Sequence, residues 1–317
     1  MGKRTQAIVF LEAGGLYTKK RARNIGEPVM ALKMSRIAVI VSCFNRKATT
    51  LAGLESLFNQ KHVEHLNITV FLVDDGSTDG TAAAVAERFP AVRILHGDGS
   101  LWWVGAMRKA FATAMAEGED GYIWWNDDTL LMDDALSRLV DCAIAVEPEL
   151  GPAIIVGTTR DPDTGERTFG GAHKRKSGFL IGFTPAYPDP DKPVRIDTMN
   201  GNFTLIPSAI ANTVGNMEPK FLHRLADFDY GQRAVKAGFP VILAPGYFAW
   251  CKKNSLANTF KDGTIPLSAR WKNLMSPRGS DPREWLLYTK RHYGWLWPLY
   301  FISPYVKVLF TGFSAGK

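Results

Sequence analysis

Three polar side chains, Asn126, Asp127 and Asp128, follow directly after the apolar and aromatic run Tyr122-Ile123-Trp124-Trp125. The run predicts a short buried strand, and the polar residues stand where that strand must leave the sheet. Open α/β sheets bind ligands at the carboxyl ends of their strands, and Mg²⁺ or Mn²⁺ accepts a protein that supplies only one or two carboxylates. Asp128 is therefore our first candidate for a metal ligand. The other interpretation, a turn that also caps the helix beginning near Asp133, stays open.

A second pair of carboxylates, Asp74 and Asp75, stands at the end of another predicted strand, Ile68 to Val73. An earlier strand, Arg36 to Val41, runs into a polar loop that contains Asn45. A strand, a helix and a second strand, with a polar loop after each strand, are typical of the βαβ unit of a parallel sheet. We therefore expect these polar residues to gather at one edge of an α/β sheet.

Two further stretches combine glycine with side chains that suit a ligand site. Trp102 and Trp103 follow a glycine-rich loop. Tryptophan is amphipathic and common both in cores and at sites that stack a base or wall a sugar pocket, so both interpretations remain. Asn200-Gly201-Asn202 precedes the predicted strand Phe203 to Ile206, and a glycine between two amides suits a backbone that approaches a ligand closely.

The segment Asp227-Phe228-Asp229 opens a predicted helix that ends just before Gly238. A carboxylate at a helix N-terminus is held ionised by the helix dipole and by backbone N–H groups, which keeps it available to accept a proton. A purely structural cap would occupy the same position. The residues alone leave both roles of Asp227 open.

The composition predicts a globular enzyme-sized protein, since the 317 residues are 46% hydrophobic. Cys43, Cys142 and Cys251 lie far apart without metal-ligand spacing, which indicates neither a disulfide framework nor a zinc site. A reducing cytoplasm suits such a chain.

The net charge of +7 belongs to the two ends of the chain. Residues 1–34 hold seven Lys and Arg against two Glu, residues 252–307 hold ten against three acids, and Lys317 adds one more positive charge, so residues 35–251 carry −6. An enzyme acting on nucleic acid would be expected to carry positive charge on its folded body. We therefore expect no nucleic-acid partner.

These patterns divide the chain into three parts. We predict a poorly structured basic leader over 1–34, a catalytic domain over 35–255 and a basic, aromatic extension over 256–317. Residues 294–313 contain a single charge, but Pro298 and Pro304 argue against a straight membrane span. Their aromatic residues beside Lys290 and Arg291 suit a peripheral contact with an anionic membrane at the inner face of the plasma membrane. A helix packed on the surface of the domain itself is the alternative.

The ordered set of motifs resembles glycosyltransferase family 2, inverting nucleotide-sugar transferases of GT-A fold. The motifs are the Asn45-Arg46 loop, Asp74-Asp75-Gly76-Ser77-Thr78-Asp79 and the strand ending in Asn126-Asp127-Asp128. Leu101-Trp102-Trp103 together with Asn126-Asp127-Asp128 is similar to the rhamnosyltransferase-like branch. The resemblance covers residues 36–255 and implies a Rossmann-like nucleotide-diphospho-sugar transferase fold with a mixed, mainly parallel sheet.

The resemblance also implies roles for individual residues. The donor, a nucleoside-diphosphate sugar, would contact residues at the strand ends, namely Asn45, Asp74, Asp75, Trp102, Trp103, Asn126 and Asp127. Asp128, with Asp127, would hold Mg²⁺ or Mn²⁺, and Asn200 and Asn202 would face a glycan or lipid-linked acceptor. Asp227 matches the position of the general base, with Asp229 as the fallback base or as an orienting neighbour. A role in bacterial surface polysaccharide synthesis and a deoxysugar donor such as rhamnose are also implied.

The sequence departs from the family pattern at two places. Asn126 occupies the first position of the usual Asp-x-Asp, so the metal would depend on the next two residues. Cys251, beside Lys252 and Lys253, stands where many relatives have a histidine; either lysine would suit a leaving diphosphate or a plain surface position.

Two other functions remain compatible with the sequence. A sugar-phosphate nucleotidyltransferase should show a glycine-rich basic loop after the first strand, where this chain has Ser42-Cys43-Phe44-Asn45. A non-catalytic nucleotide-sugar binding protein would bind the donor without turnover.

Overall fold

The computed structural model describes residues 34–177 and 180–310. The leader predicted over 1–34 therefore lies outside the described residues except for Met34, which is buried.

Twelve strands make up the two sheets of the described chain. They are β1 (Arg36–Cys43), β2 (Asn67–Asp74), β3 (Arg93–His96), β4 (Gly121–Trp125), β5 (Leu130–Leu131), β6 (Ile154–Arg160), β7 (Gly171–Ser177), β8 (Leu180–Pro185), β9 (Val194–Ile196), β10 (Thr198–Met199), β11 (Phe203–Pro207) and β12 (Val241–Trp250).

Nine α-helices connect and cover these strands in the described ranges. They are α1 (Lys47–Phe58), α2 (Thr81–Arg88), α3 (Trp102–Glu117), α4 (Ala135–Leu150), α5 (Ser208–Val214), α6 (Ala226–Lys236), α7 (Leu267–Leu274), α8 (Pro282–His292) and α9 (Trp297–Phe310).

The main sheet has the strand order β3-β2-β1-β4-β11-β6-β12-β5, with β9 paired to β12. Strands β1, β2, β3 and β4 are mutually parallel, as are β6 and β12. Strand β11 runs antiparallel between β4 and β6, and β5 and β9 run antiparallel to β12. Six of the nine strands therefore share one direction, which confirms the predicted α/β fold with a mixed, mainly parallel sheet.

The core lies on both faces of this sheet because its strands are buried on both sides. In β4 all five residues are buried, and alternate side chains enter different clusters: Ile123 and Trp125 on one face, Tyr122 and Trp124 on the other. An unbroken apolar run is the pattern expected of a strand covered by helices on both faces.

The segment after residue 158, for which the sequence predicts no strand, contains a hairpin. Strands β7 and β8 pair antiparallel, and β10 joins them to form a separate three-stranded sheet. The Lys174-Arg175-Lys176 sequence lies within β7.

The extension predicted over 256–317 packs against the catalytic domain as far as it is described. Tyr288 of α8 and Tyr293 belong to the same buried cluster as Trp124 of the central sheet. In the described ranges, no helix has both the length and the apolar character needed to cross a membrane.

Candidate active site

The sheet brings the predicted site residues to one edge. Cys43 at the end of β1 pairs with Asp74 at the end of β2, and Ile40 pairs with Trp124 near the end of β4. On the other side of β4, Trp125 pairs with Phe203, the first residue of antiparallel β11. The loops that leave β1, β2 and β4 therefore meet the loop that enters β11.

Asn45 links the first two of these loops. It has a positive φ of 50°, a conformation that Asn adopts more readily than most residues. Its side-chain oxygen accepts the Thr78 N–H at 2.8 Å, and its own N–H donates to the Ser77 hydroxyl at 2.9 Å. Asn45 thus fixes the Asp-Asp-Gly-Ser-Thr loop against the first strand.

The carboxylate of Asp75 organises the third loop of the edge. It accepts the N–H groups of Gly99, Leu101 and Trp102 at 3.0, 3.0 and 3.1 Å. A carboxylate that accepts several backbone N–H groups is a strong anchor. Asp74 is also buried and accepts the Ser77 N–H at 2.9 Å. Donor contacts by this pair stay a prediction.

Asp127 points into the protein beneath the edge. Its side chain is 2% exposed and accepts Arg46 Nη1 and the Thr50 hydroxyl, both at 2.7 Å. Burial raises the pKa of Asp127, and the Arg46 charge opposes that shift. Because these partners occupy both oxygens, the geometry favours Asp127 as a structural anchor of α1 over a direct metal ligand.

Asp128 is the carboxylate that faces outward, with 35% of its side chain exposed. One oxygen lies 3.3 Å from Arg46 Nη1, and the other lies 4.0 Å from the Cys251 sulfur. Burial raises the pKa of Cys251 to about 11, so this neighbour is a neutral thiol at pH 7. In the described ranges, no cluster of three His, Cys, Asp or Glu could enclose a metal ion.

Trp103, Asn126 and Asn202 join the strand-end residues predicted to contact the donor to the loop of residues 200–202, which holds the predicted acceptor residues. Trp103 Nε1 donates to the side-chain oxygen of Asn126 at 2.9 Å, and the Asn126 N–H donates to the Asn202 carbonyl at 3.1 Å. Gly201 lies against the Trp103 ring, where a Cβ would approach ring carbons to 3.1 Å. A side chain at this position would therefore be tightly packed against the ring of a predicted donor residue.

Trp102 differs from Trp103 in its surroundings. It begins α3 with a φ of 56° and is 38% exposed. Its ring meets the ring of His223 edge-on at 5.9 Å. Trp102 therefore presents an open indole beside the site, whereas Trp103 is partly buried within it.

Asp227 is the second residue of α6 and lies against the acceptor loop. It accepts the N–H of Phe228 at 2.8 Å and the N–H of Gly201 at 3.2 Å, and the Asn200 side chain is a further hydrogen-bond partner. Burial raises the pKa of Asp227, while these three hydrogen bonds partly counter the effect. The result is a carboxylate of increased basicity that contacts Asn200, one of the two predicted acceptor residues, and the neighbouring Gly201.

Asp229 faces the other way and is fully buried. Its oxygens accept Arg233 Nε, Arg291 Nη1 and His292 Nε2, each at 2.8 Å. Despite burial, these partners lower the pKa of Asp229, with the His292 and Arg291 hydrogen bonds the largest contributions. The structure therefore brings Asp227 to the site and commits Asp229 to holding α8 against α6.

The partners of these carboxylates are not evident from the sequence. Arg46 follows Asn45 directly and enters the sequence predictions only within a motif, while Arg291 and His292 fall in the extension predicted to face a membrane. Nothing in the sequence around Arg46 indicates that its side chain contacts Asp127, which lies 81 residues later at the end of another strand. The sequence does show that Arg233 lies four residues after Asp229 and so can pair with it along the helix, but the more distant partners Arg291 and His292 have no such local signal.

The α/β fold with its mixed, mainly parallel sheet is that of GT-A glycosyltransferases. The model of the family "Glycosyl transferase family 2" matches residues 38–204, more than half of the chain. The chain belongs to glycosyl transferase family 2.

The chain is also similar to a named relative. It is 25% identical over 254 residues to an "N-acetylglucosaminyl-diphospho-decaprenol L-rhamnosyltransferase" from two strains of Mycobacterium tuberculosis, covering 72% of this chain and 76% of the relative. This similarity confirms the predicted resemblance to the rhamnosyltransferase-like branch.

Two solved structures share the fold at low identity. GalNAc-T7 with UDP, GalNAc and Mn²⁺ superposes with a TM-score of 0.54 at 13% identity, over 85% of this chain and 54% of that chain. TarS from S. aureus superposes with a TM-score of 0.51 at 12% identity, over 83% of this chain and 44% of that chain. The chain thus spans about half the length of these two structures, which support the fold alone.

Proposed function

We propose that this glycosyltransferase is inverting and moves a sugar from a nucleoside-diphosphate sugar to an acceptor hydroxyl. The observation that carries the proposal is Asp227, a carboxylate with a raised pKa held by the Gly201 N–H at the acceptor loop. Asp227 is far in sequence from the predicted donor residues. Hydrogen bonds from Trp103 to Asn126 and from Asn126 to Asn202 connect the two parts of the site. Base and donor edge are therefore parts of one connected structure.

The chemistry assigned to the chain is a single displacement. Asp227 accepts the proton of the acceptor hydroxyl as the hydroxyl oxygen attacks the anomeric carbon. The bond from that carbon to the diphosphate breaks on the opposite face, so the configuration inverts and no enzyme nucleophile is needed. A glycosidase would need a second carboxyl group to protonate its leaving group, whereas a diphosphate leaves as an anion.

A divalent cation fits the outward carboxylate of the site. Mg²⁺ or Mn²⁺ accepts one or two protein oxygens and takes its other ligands from substrate phosphate and water, which suits Asp128 as the protein ligand. When bound, such an ion acts as a Lewis acid toward the departing diphosphate. Asp127 would contribute indirectly, by fixing Arg46 near Asp128.

The substrates proposed follow from the relative's name. That name gives an N-acetylglucosaminyl-diphospho-decaprenol as the acceptor and L-rhamnose as the transferred sugar. We therefore propose a deoxysugar donor such as dTDP-rhamnose and a glycan or lipid-linked acceptor, in cytoplasmic synthesis of a bacterial surface polysaccharide.

The apolar face of α9 supports contact with a membrane surface. Leu299, Ile302, Val306 and Phe310 of α9, with Trp295 just before it, recur at helical spacing and are between 43% and 78% exposed. Residues 252–307 carry ten Lys and Arg against three acids, which complements an anionic bilayer. We expect Leu299→Ser combined with Ile302→Ser to weaken sedimentation with phosphatidylglycerol vesicles roughly tenfold, at unchanged secondary structure. The membrane assignment would be contradicted if the wild-type protein did not sediment with the vesicles and instead dimerised through this face.

A donor screen followed by product analysis tests the function. We expect the true donor among dTDP-, UDP- and GDP-sugars to raise the melting temperature of the protein most in the presence of Mn²⁺, because a bound donor raises apparent stability by mass action. The product formed from the best donor should have the opposite anomeric configuration, read by NMR. Retained configuration would exclude the inverting mechanism. Release of pyrophosphate from a nucleoside triphosphate as its nucleotidyl group is transferred to a sugar phosphate would favour the nucleotidyltransferase. Donor binding without hydrolysis or transfer would favour the binding protein.

A further inference from the structure

A group of exposed cations lies next to Asp227 and has no role in the mechanism above. It consists of Arg224, Arg278, Lys253 and Lys261, which we call the cationic cluster; all four residues are exposed. In residues 34–177 and 180–310 none of the four forms an ion pair with an acid. Other arginines near the site are neutralised, as Arg46 is by Asp127 and Arg233 by Asp229. Exposed and unneutralised cations at a site edge attract an anion.

Contacts fix the position of the cluster relative to the site. Arg224 donates to the carbonyls of Gly279 and Arg278 at 2.8 and 3.4 Å, which joins the segment before α6 to the turn after α7. The Arg278 guanidinium carbon lies 5.8 Å from the centre of the Trp102 ring. Arg224 precedes Asp227 by three residues. The cluster therefore lies between the open indole and the base.

The charges of the cationic cluster shift the pKa values of groups within it and beside it. Desolvation, and then the charges of Arg224 and Lys253, lower the pKa of Lys261. Burial, and then the charges of Arg278 and Arg224, lower the pKa of the neighbouring His223 to about 4, so that imidazole is neutral at pH 7. The positive charges of the cluster are thus close enough together to disfavour the protonated forms of Lys261 and His223.

The acids nearby do not cancel this charge. Desolvation lowers the pKa of Arg224, and the carboxylates that oppose the shift are Asp227 and Glu284. Burial raises the pKa of Glu284 to about 7, and its buried Oε1 has no hydrogen-bond partner within the described part of the chain. The corresponding carboxylates around Arg46 are Asp127 and Asp128. The cluster therefore belongs to the side of the base, and Arg46 to the side of the metal candidate.

We propose that the cationic cluster binds a phosphate or diphosphate group carried by the acceptor, which places the acceptor hydroxyl at Asp227. The proposal rests on the transferase function proposed above and specifies its acceptor as an anionic sugar phosphate or diphosphate. In such an acceptor only one sugar ring separates the reacting hydroxyl from the charged group. Arginine suits this role because its planar fork matches phosphate oxygens, and Lys adds charge without fixed geometry.

Binding of farnesyl diphosphate, with farnesol as the uncharged control, tests the site in the full chain. EDTA is present, so that metal-dependent binding at Asp128 does not contribute. We expect Arg278→Met combined with Lys261→Met to weaken farnesyl diphosphate binding about 10-fold to 100-fold, and Arg278→Lys to retain most of it. Both side chains are exposed, so the fold should survive their replacement. Arg88→Met, which removes an exposed Arg paired with Glu55 on a helix away from the cluster, is the matched control.

A second measurement assigns the diphosphate to acceptor or donor. Binding of dTDP with Mn²⁺ should stay within about twofold of wild type in the Arg278/Lys261 double variant, since the donor lies on the Asp128 side. Weakened dTDP binding with unchanged farnesyl diphosphate binding would overturn the assignment to the acceptor. Equal farnesyl diphosphate binding by wild type, double variant and Arg88→Met would overturn the site itself. Neither result depends on turnover, so a failure of the transferase proposal, seen as no transfer from any donor, is recognised separately.

Discussion

Replacing Asp227 with Asn should separate chemistry from folding. Asn has the same size and keeps one oxygen for the Phe228 or Gly201 N–H, so about one hydrogen bond is lost. That costs roughly 0.5–1.5 kcal/mol, and it is offset in part because a buried charge is also removed. A positioned base contributes about 10²–10⁴-fold to turnover, and this is the loss we expect.

Asp229→Asn is the matched variant, with the opposite expected result. Its carboxylate holds Arg233, Arg291 and His292 at 2.8 Å each in a fully buried position. Removing one partner of a buried ion pair costs about 3–5 kcal/mol. We expect a large shift in the urea midpoint but, at temperatures where the variant is folded, a milder loss of turnover than in Asp227→Asn.

Urea unfolding and initial transfer rates, measured on both variants, distinguish the two roles. Donor affinity with Mn²⁺ should stay near wild type in Asp227→Asn, because the predicted donor contacts lie at the ends of β1, β2 and β4. Transfer at close to the wild-type rate by Asp227→Asn, with Asp229→Asn inactive but stable, would refute this assignment of the base.

Three further predictions concern charge. Asp227 must be ionised to accept a proton and burial raises its pKa, so the acid limb of the kcat profile should lie above pH 3.8, the ordinary value; a limb at or below it would argue against this base. The pKa of Asp229 is lowered, so its stabilisation is present above the unfolded pKa and is lost as pH falls through the folded value; the slope of stability against acid pH should therefore flatten in Asp229→Asn. Asp128→Ala should abolish metal-dependent donor binding seen by calorimetry, whereas Asp127→Asn should mainly lower stability because it loses Arg46 and Thr50; unchanged donor affinity in Asp128→Ala would remove it from the metal site.

The sequence predicted the strands that build the site, because a short apolar run with a polar end is typical of a buried strand. Strands β1, β2, β4 and β11 lie within two residues of their predicted bounds. The parallel order of β1, β2 and β4 then placed Asn45, Asp74 and Asn126 at one edge, as expected for carboxyl ends of parallel strands. Local pattern was sufficient here because the sheet geometry follows from it.

The sequence made Asp128 the first metal candidate and the family resemblance made Asp227 the predicted base, but the residue pattern does not contain the partners that orient these side chains. Asp127 and Asp128 are neighbours, yet one turns toward Arg46 and Thr50 and the other toward solvent. The same is true of Asp227 and Asp229, whose difference depends on Arg291 and His292 far along the chain. Orientation of this kind is decided by long-range partners, which local periodicity does not contain.

The hairpin of β7 and β8 was missed for another reason. Its residues include Lys174, Arg175 and Lys176, so it lacks the apolar alternation by which strands are recognised. Pairing of β7 with both β8 and β10 supplies hydrogen bonds that replace that signal.

The ties between Asp229 and the end of α8 also bear on how the chain is made. Arg291 and His292 are synthesised 62 and 63 residues after Asp229. A nascent chain that has emerged only through β12 therefore holds a buried carboxylate with one of its three partners, Arg233. Domains fold largely as units during synthesis. The helix that carries Asp227 therefore reaches its final position only once α8, which supplies Arg291 and His292, has left the ribosome. A chain that stops before Arg291 would thus contain the proposed base but lack two of the three partners of Asp229 that hold its helix.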